Sequence, residues 1–358
     1  MRGRLTQVVL LGVLLIVGTA IIFVFAPAFL RVAHRAQNEL QRNLAVLTFA
    51  NPIFYIGTLM ILLAERRWPA QKRQKTLSVG LCQDFVWLFF ESLLHATILT
   101  TFAAVLRAFY RGHLSFLTLH AAAAMPLWLR FILAMLAVDF IAFFHHWLRH
   151  KVGVFWLFHT VHHSQRELNI FTDVRYHVFE YVIAYAVRIF PMMALNFDLP
   201  EIISYVLAHQ WYTRFCHANI RTNLGMLRFV LVTPQSHRVH HSPHRRHWDK
   251  NFGVIFSVWD RLLGTQYRND REYPRTGIPD GDFPMETSAR PLALLVTPVL
   301  QHIYPFGVIF RRVRDGPQAG RLIVDASPSR SDLITIPPPI TERNPCASSS
   351  SPAFSQSP

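Results

Sequence analysis

Residues 159–164 read His-Thr-Val-His-His-Ser, three imidazoles at i, i+3 and i+4 with no acid among them. Residues three and four apart on a helix share a face, so His159, His162 and His163 can present ring nitrogens in one direction. The same pattern returns at His237, His240 and His241, and a shorter HxxxH stands at His146 and His150. Of the chain's 19 histidines, 14 fall between His145 and His247, so chance placement is a poor explanation. Three such motifs on separate helix ends can enclose a metal centre. Imidazole suits iron, zinc, copper and nickel. His177 and His217 stand singly near the ends of a helical hairpin and join the candidates. That set exceeds the needs of one ion, so two metals are the natural count. No ExxH pairs accompany the motifs, which excludes a carboxylate-bridged bundle of the ferritin type. His145, His209, His244 and His247 lie in the window but off the pattern, and their part stays open. His34, His95, His113, His120 and His302 lie outside the window and are read as ordinary residues.

The elements that must position these motifs are long apolar runs. The chain has 358 residues, 51% of them hydrophobic. Val8 to Leu30 carries no charge, long enough to cross ~30 Å of hydrocarbon as a helix. It is read as a retained helix, not a cleaved signal peptide, because further spans follow. Those run over Leu44–Ala64, about Leu81–Leu106 and Leu129 to about Trp147. A hairpin over Val178–His217 turns at Asn196-Phe197-Asp198-Leu199-Pro200. The basic loop from Glu65 to Lys75 predicts a cytoplasmic side, which puts the histidine motifs there too. Arginines between residues 31 and 42 pull the other way. Pro291–Phe310 is apolar but broken by Pro298, His302 and Pro305, and is read as an interfacial segment. From Asp325 the chain turns Ser- and Pro-rich and is expected to be disordered. Asp84, Glu91 and His95 share one face of the third span and are expected to pair with one another, with lining of the substrate path as the alternative.

The net charge of +15 sits at helix ends, where anionic headgroups would meet it. No aromatic-and-basic stripe suggests nucleic acid. Three cysteines without a CxxC exclude a disulfide framework, a cysteine-held zinc and an iron–sulfur cluster.

Around the histidines the sequence resembles the sterol desaturase and fatty acid hydroxylase superfamily. Asp139 stands seven residues before His146. An aromatic-rich FWLF precedes His159. Asn169, Thr172 and Arg-Tyr-His-Val-Phe-Glu (175–180) follow it. His217-Ala218-Asn219 comes after the hairpin, Thr233-Pro234 before the third motif, and Asn251-Phe252-Gly253 with Trp259-Asp260-Arg261 beyond it. The resemblance covers about 130 to 267. Two departures are evident. The first motif has its arginine at Arg149, not directly after His146. Thr213 occupies a position where some relatives carry another histidine.

The resemblance implies an all-α, polytopic membrane bundle with a cytoplasmic, histidine-rich di-iron cap. Its ligands would be His146, His150, His159, His162, His163, His177, His217, His237, His240 and His241, holding two irons. Asp139, Asn169, Arg175, Glu180 and Asn251 would support that site, or serve only as caps, ion pairs and turns. The expected division is N-terminal spans over 1–125, a catalytic domain over 126–270, an interfacial segment over 271–324 and a tail over 325–358. The implied activity is O2-dependent hydroxylation of a C–H bond in an acyl chain, alkyl chain or sterol. Desaturation is the alternative within the family. A histidine-rich metal transporter and a non-catalytic lipid-binding scaffold are the alternatives outside it. The sequence carries no evident electron-transfer module, so a separate reductase, ferredoxin or cytochrome b5-like donor is implied.

Overall fold

The computed structural model describes residues 52–75, 77–94, 100–197, 199–279 and 281–315. The first expected span, residues 44–51 of the second, His95 and the tail lie outside the described residues. Ten α-helices carry the described chain: α1 (Pro52–Arg67), α2 (Val79–Leu94), α3 (Thr100–Phe109), α4 (Leu127–Lys151), α5 (Gly153–His163), α6 (Val178–Ala194), α7 (Leu199–His217), α8 (Pro234–His240), α9 (Val258–Leu262) and α10 (Pro291–Asp315). Among the described residues there is no strand, only the isolated bridges Pro69–Ile220 and Leu231–Phe256. The helices fall where the apolar runs do. The third run is shared between α2 and α3, and the hairpin is α6 and α7.

Helix α4 is the spine. Ala134, Val138 and Ala142 recur every fourth residue, all buried, and these small side chains let α6 approach closely. Its opposite face exposes Trp128, Ile132, Phe140 and Phe144. The α6–α7 turn needs a left-handed residue, and Asn196 supplies it at φ 59°. One apolar cluster joins α3, α4, α6 and α7 around Val138, Met192 and Tyr205. A second joins α1, α2 and α5 around Trp87, Leu88 and Val161.

Pro291–Phe310 is not broken at its prolines, contrary to its sequence reading. It lies within one continuous 25-residue helix, α10, that passes through Pro298 and Pro305. Pro298 has no N–H to offer the Leu294 carbonyl one turn back. Gln83 Nε2 of α2 donates to that carbonyl instead, at 2.9 Å. His302 Nδ1 donates to the Pro298 carbonyl at 2.8 Å. With these partners the prolines do not end the helix. Helices α4 and α10 are both long and apolar enough to cross a membrane.

Candidate metal centre

The histidine motifs converge where α4, α5, α7 and α8 meet. Local chemistry starts and stops each helix at the right place. Lys151-Val152-Gly153 breaks α4 from α5, so His150 and His159 face each other across a tight corner. Thr233 caps α8: its hydroxyl accepts from Ser236 N at 3.0 Å, with Pro234 in the first helical position. This explains the Thr-Pro before the third motif.

Nine of the ten expected ligands form two groups. His146, His150, His159, His163 and His240 make one; His162, His217, His237 and His241 make the other. Within each group the available ring nitrogens lie within 4.8 Å of one another. Helix geometry explains the division. At about 100° per residue, i+4 falls about 40° to one side of i and i+3 about 60° to the other. On α5, His159 and His163 therefore face one group and His162 the other. On α8 the order reverses: His237 and His241 share a group, and His240 crosses to its neighbour.

The nitrogens' partners show which atoms point inward. His146 Nδ1 donates to the Phe252 carbonyl at 2.9 Å, His162 Nδ1 to the Arg175 carbonyl at 3.2 Å. His217 Nδ1 donates to the Thr213 carbonyl at 2.7 Å and His240 Nδ1 to the Lys250 carbonyl at 2.9 Å. His159 Nδ1 donates to Glu180 Oε1 at 2.5 Å. A proton held on Nδ1 leaves Nε2 as a lone pair. In the first group all five Nε2 atoms are buried without a hydrogen-bond partner among the described residues. In the second, Nε2 of His217 lies 3.2 Å from that of His162 and 2.9 Å from that of His237. Facing lone pairs repel, and orphaned buried nitrogens each cost about 1–3 kcal/mol. Burial also holds the α5 and α8 imidazoles in the neutral form: His162, His163, His237 and His241 fall well below their ordinary value, and His240 drops to about 4. Nine neutral, converging nitrogen donors fit two metal ions of the imidazole-binding kind.

His177 stands apart from both groups. As N-cap of α6 its Nδ1 accepts from Phe179 N at 3.3 Å, and its Nε2 donates to the His302 carbonyl at 3.1 Å. Both nitrogens are committed, so no lone pair is left for a metal. His145 Nδ1 accepts from Arg149 at 2.8 Å, His244 is exposed, and His247 faces Glu272. His209 is buried with neither ring nitrogen partnered among the described residues.

The five supporting candidates surround the histidines at different removes. Glu180 touches the site, accepting from His159 and pairing with Arg149 at 2.5 Å. The displaced arginine of the first motif thus reaches the same carboxylate. Asp139 accepts from Ile255 N, Phe256 N and Trp259 Nε1 at 2.8–3.0 Å. It pins the loop whose Phe252 carbonyl orients His146. Arg175 orients His162 through its carbonyl, while its guanidinium is buried against Asp84 and Glu286. Asn169 donates to the same Asp84 at 2.6 Å. Asn251, left-handed at φ 59°, bonds Ser236, Gln266 and Tyr267 and ties α8 to the chain beyond α9.

Asp84 and Glu91, expected to pair with each other, take other partners, and sequence reasoning missed a second hub at Glu65. Asp84 gathers Gln165, Asn169, Thr172 and Arg175, while its span mate Glu91 accepts from Tyr181 at 2.7 Å. Glu65 accepts from Ile170 N and Asn219 N at 3.0 and 2.9 Å, joining α1 to the segments after α5 and α7. Charge inside an apolar run marked Asp84, but its partners lie more than 80 residues away and left no local signal.

A helical scaffold that buries two converging histidine groups defines a candidate metal centre. A sequence model described as fatty acid hydroxylase matches residues 131–265. Human alkylglycerol monooxygenase is 34% identical over 133 residues, covering 37% of this chain and 29% of that protein. The Caenorhabditis elegans alkylglycerol monooxygenase is 30% identical over 131 residues, 36% of this chain and 25% of that one. The ornithine lipid hydroxylase OlsE of Rhizobium tropici is 27% identical over 146 residues, 41% of this chain and 44% of that one. In each case the match spans less than half of the relative's length. No solved structure matches the chain. Through residues 131–265, then, the chain is similar to fatty acid hydroxylases.

Proposed function

We propose that the chain is an integral membrane oxygenase that hydroxylates a C–H bond of a lipid. The observation that carries this is the pair of histidine groups, with five orphaned Nε2 atoms converging in one of them. The relatives' names, a monooxygenase of alkylglycerols and a hydroxylase of ornithine lipids, support the reaction and the lipid class. Iron is the metal we assign, two ions per chain: one held by the five-histidine group and one by the four. Bound iron would supply the activation of O2 that an unactivated C–H bond requires. The overall balance is a lipid C–H, O2, two electrons and two protons giving an alcohol and water. A separate electron donor delivers the electrons.

The chain's own residues do the rest. Carbonyls of Phe252, Arg175, Thr213 and Lys250, with the Glu180 carboxylate, keep protons on Nδ1 and Nε2 free. Arg149 balances the charge of Glu180. Asp139, Asn169, Arg175 and Asn251 act as positioning residues, through the backbone that aims the imidazoles. The exposed apolar faces of α1, α4 and α10 meet lipid, and the histidine end faces the cytoplasm. The catalytic domain is residues 126–270, with spans before it and a C-terminal membrane segment after it.

The test is untargeted lipid mass spectrometry of a host expressing the chain, against a His162→Ala, His163→Ala control. A lipid one oxygen heavier, present only with the wild type, is expected. A loss of two hydrogens would replace hydroxylation with desaturation. Equal products in wild type and control would remove the oxygenase reading.

A further inference from the structure

The short turn Gly225–Phe229 and helix α9 form one platform on the outside of the bundle. Leu224 and Gly225 are both left-handed at φ 55°, which fixes the turn. Ser257 N donates to the Val230 carbonyl at 2.9 Å, and Ser257 Oγ to the Arg228 carbonyl at 2.9 Å. Arg261 donates to that same Arg228 carbonyl at 2.9 Å. These bonds make a rigid surface of two adjoining segments, not a loose loop. On it Met226, Leu227, Phe229, Val230, Leu262 and Leu263 all stand outward, Met226 75% exposed and Leu262 71%. A scattered exposed leucine needs no explanation, but six large apolar side chains held out together mark a face that something covers.

Position and charge name the cover. The platform is continuous with the exposed apolar stripe of α4: Trp259 of α9 packs edge-on against Phe140 at 5.1 Å, and Ile132 and Phe144 lie on the same stripe. Tyr212 donates to the Val232 carbonyl at 2.6 Å, which sets the platform beside the last turns of α7, at the histidine end, where a span leaves the hydrocarbon. Arg228 and Arg261 both stack on Phe229, 4.5 and 4.8 Å from its ring centroid. Asp270 meets Arg228 at 2.6 Å, while Asp260 is turned inward to Phe252 N, Gly253 N and Thr265. Two guanidiniums against one surface carboxylate leave a positive rim beside the apolar side chains. A guanidinium fork matches phosphate, and its stem lies along apolar surface while its head stays at the water. We infer that this platform sits in the headgroup layer of the membrane, its apolar side chains among the acyl chains and its arginine pair on the phosphate of an anionic lipid. A second copy of the chain would bring the same arginines to the same face, which like charge opposes. The domain that carries the histidines thus grips the leaflet through its own surface as well as through its spans.

This inference rests on the reading of α4 as lipid-facing, and its test separates the two. The full chain is placed in nanodiscs of phosphatidylcholine and phosphatidylglycerol, and nitroxide accessibility is read by electron paramagnetic resonance. Single labels go on Met226→Cys, Leu262→Cys, Ile132→Cys of α4 and the exposed Arg275→Cys, each on a Cys82→Ser, Cys216→Ala, Cys346→Ser background. Labels at 226 and 262 are expected to meet oxygen more readily than a water-soluble nickel chelate, as at 132 and opposite to 275. Water exposure at 226 and 262 with lipid exposure at 132 would overturn this inference alone. Water exposure at all three would remove the membrane reading with it. Spin–spin broadening between copies at 226, without lipid contact, would make the face a chain–chain contact and overturn the inference too. The charge is tested with the native cysteines in place, by native mass spectrometry of the phosphatidylglycerol retained per chain. Arg261→Gln keeps a donor for the Arg228 carbonyl and loses the charge. It should weaken retention about fivefold, with melting temperature and metal content as in the wild type. Retention equal to wild type would overturn the phosphate assignment.

Discussion

Glu180 is one carboxylate facing two cations-in-waiting. Its Oε1 accepts from His159 Nδ1 and pairs with Arg149, both at 2.5 Å, while its Oε2 has no partner among the described residues. Removing it would free the His159 ring to take either tautomer and leave Arg149 buried at 9% side-chain exposure without its counter-ion. Glu180→Ala is expected to lower metal affinity by about 10- to 100-fold, the usual cost of losing a partner that orients an imidazole ligand. Chelator competition on the purified variant measures it, and wild-type affinity would sever Glu180 from the site. By contrast, His177→Ala should leave metal content unchanged, because both of its ring nitrogens are already engaged. At this scale the sequence was informative about identity and silent about allegiance. The i, i+3, i+4 spacing marked the histidines that converge, since helical period is written in the chain. Which of them face which group depends on how α5 and α8 are rotated against each other. His177 looked equivalent to His217 because an N-cap and a ligand share the same sequence signature: a lone histidine at a helix end.

The elements are held at the site by loops that act like straps. Asp139 sits two turns before His146 on the buried face of α4 and takes three N–H donors from the segment 255–259. Asp139→Ala would orphan all three and is expected to destabilise the fold by about 3 kcal/mol. Urea unfolding checks this, and a change under about 1 kcal/mol would contradict the strap role. Gly253 lies on the same strap. A Cβ there would stand 2.7 Å from the Phe256 carbonyl oxygen and 2.8 Å from Asp260 Oδ2. Gly253→Ala should therefore shift the Phe252 carbonyl and His146 with it, seen as a loss of bound metal. The Asp-to-motif spacing was visible in the sequence, because both residues ride one helix. The α10 helix was not. Its prolines read as breaks, and the donor that repairs one of them, Gln83, is 211 residues away. Asp84 and Glu65 were hidden for the same reason: each joins segments that only the tertiary fold brings together.

For the whole molecule, a bound metal centre would also be a structural weight. Four helices end in buried imidazoles that converge without other partners among the described residues, so metal binding would contribute to folding stability. Chelation is expected to lower the melting temperature. The metal-free chain should also be acid-sensitive. Burial holds these histidines below their ordinary value, to about 4 for His240. The unfolded chain takes up protons below about pH 6.5 while the folded chain does not. Stability is then present above that value and is lost as pH falls from about 6.5 toward 4. Metal content of the purified wild-type chain, by elemental mass spectrometry, tests the central claim most directly. Two irons per chain, with one group's iron lost in His240→Ala or in His237→Ala, is the predicted result. A wild-type chain without iron, or with a single ion unaffected by either change, would contradict the account.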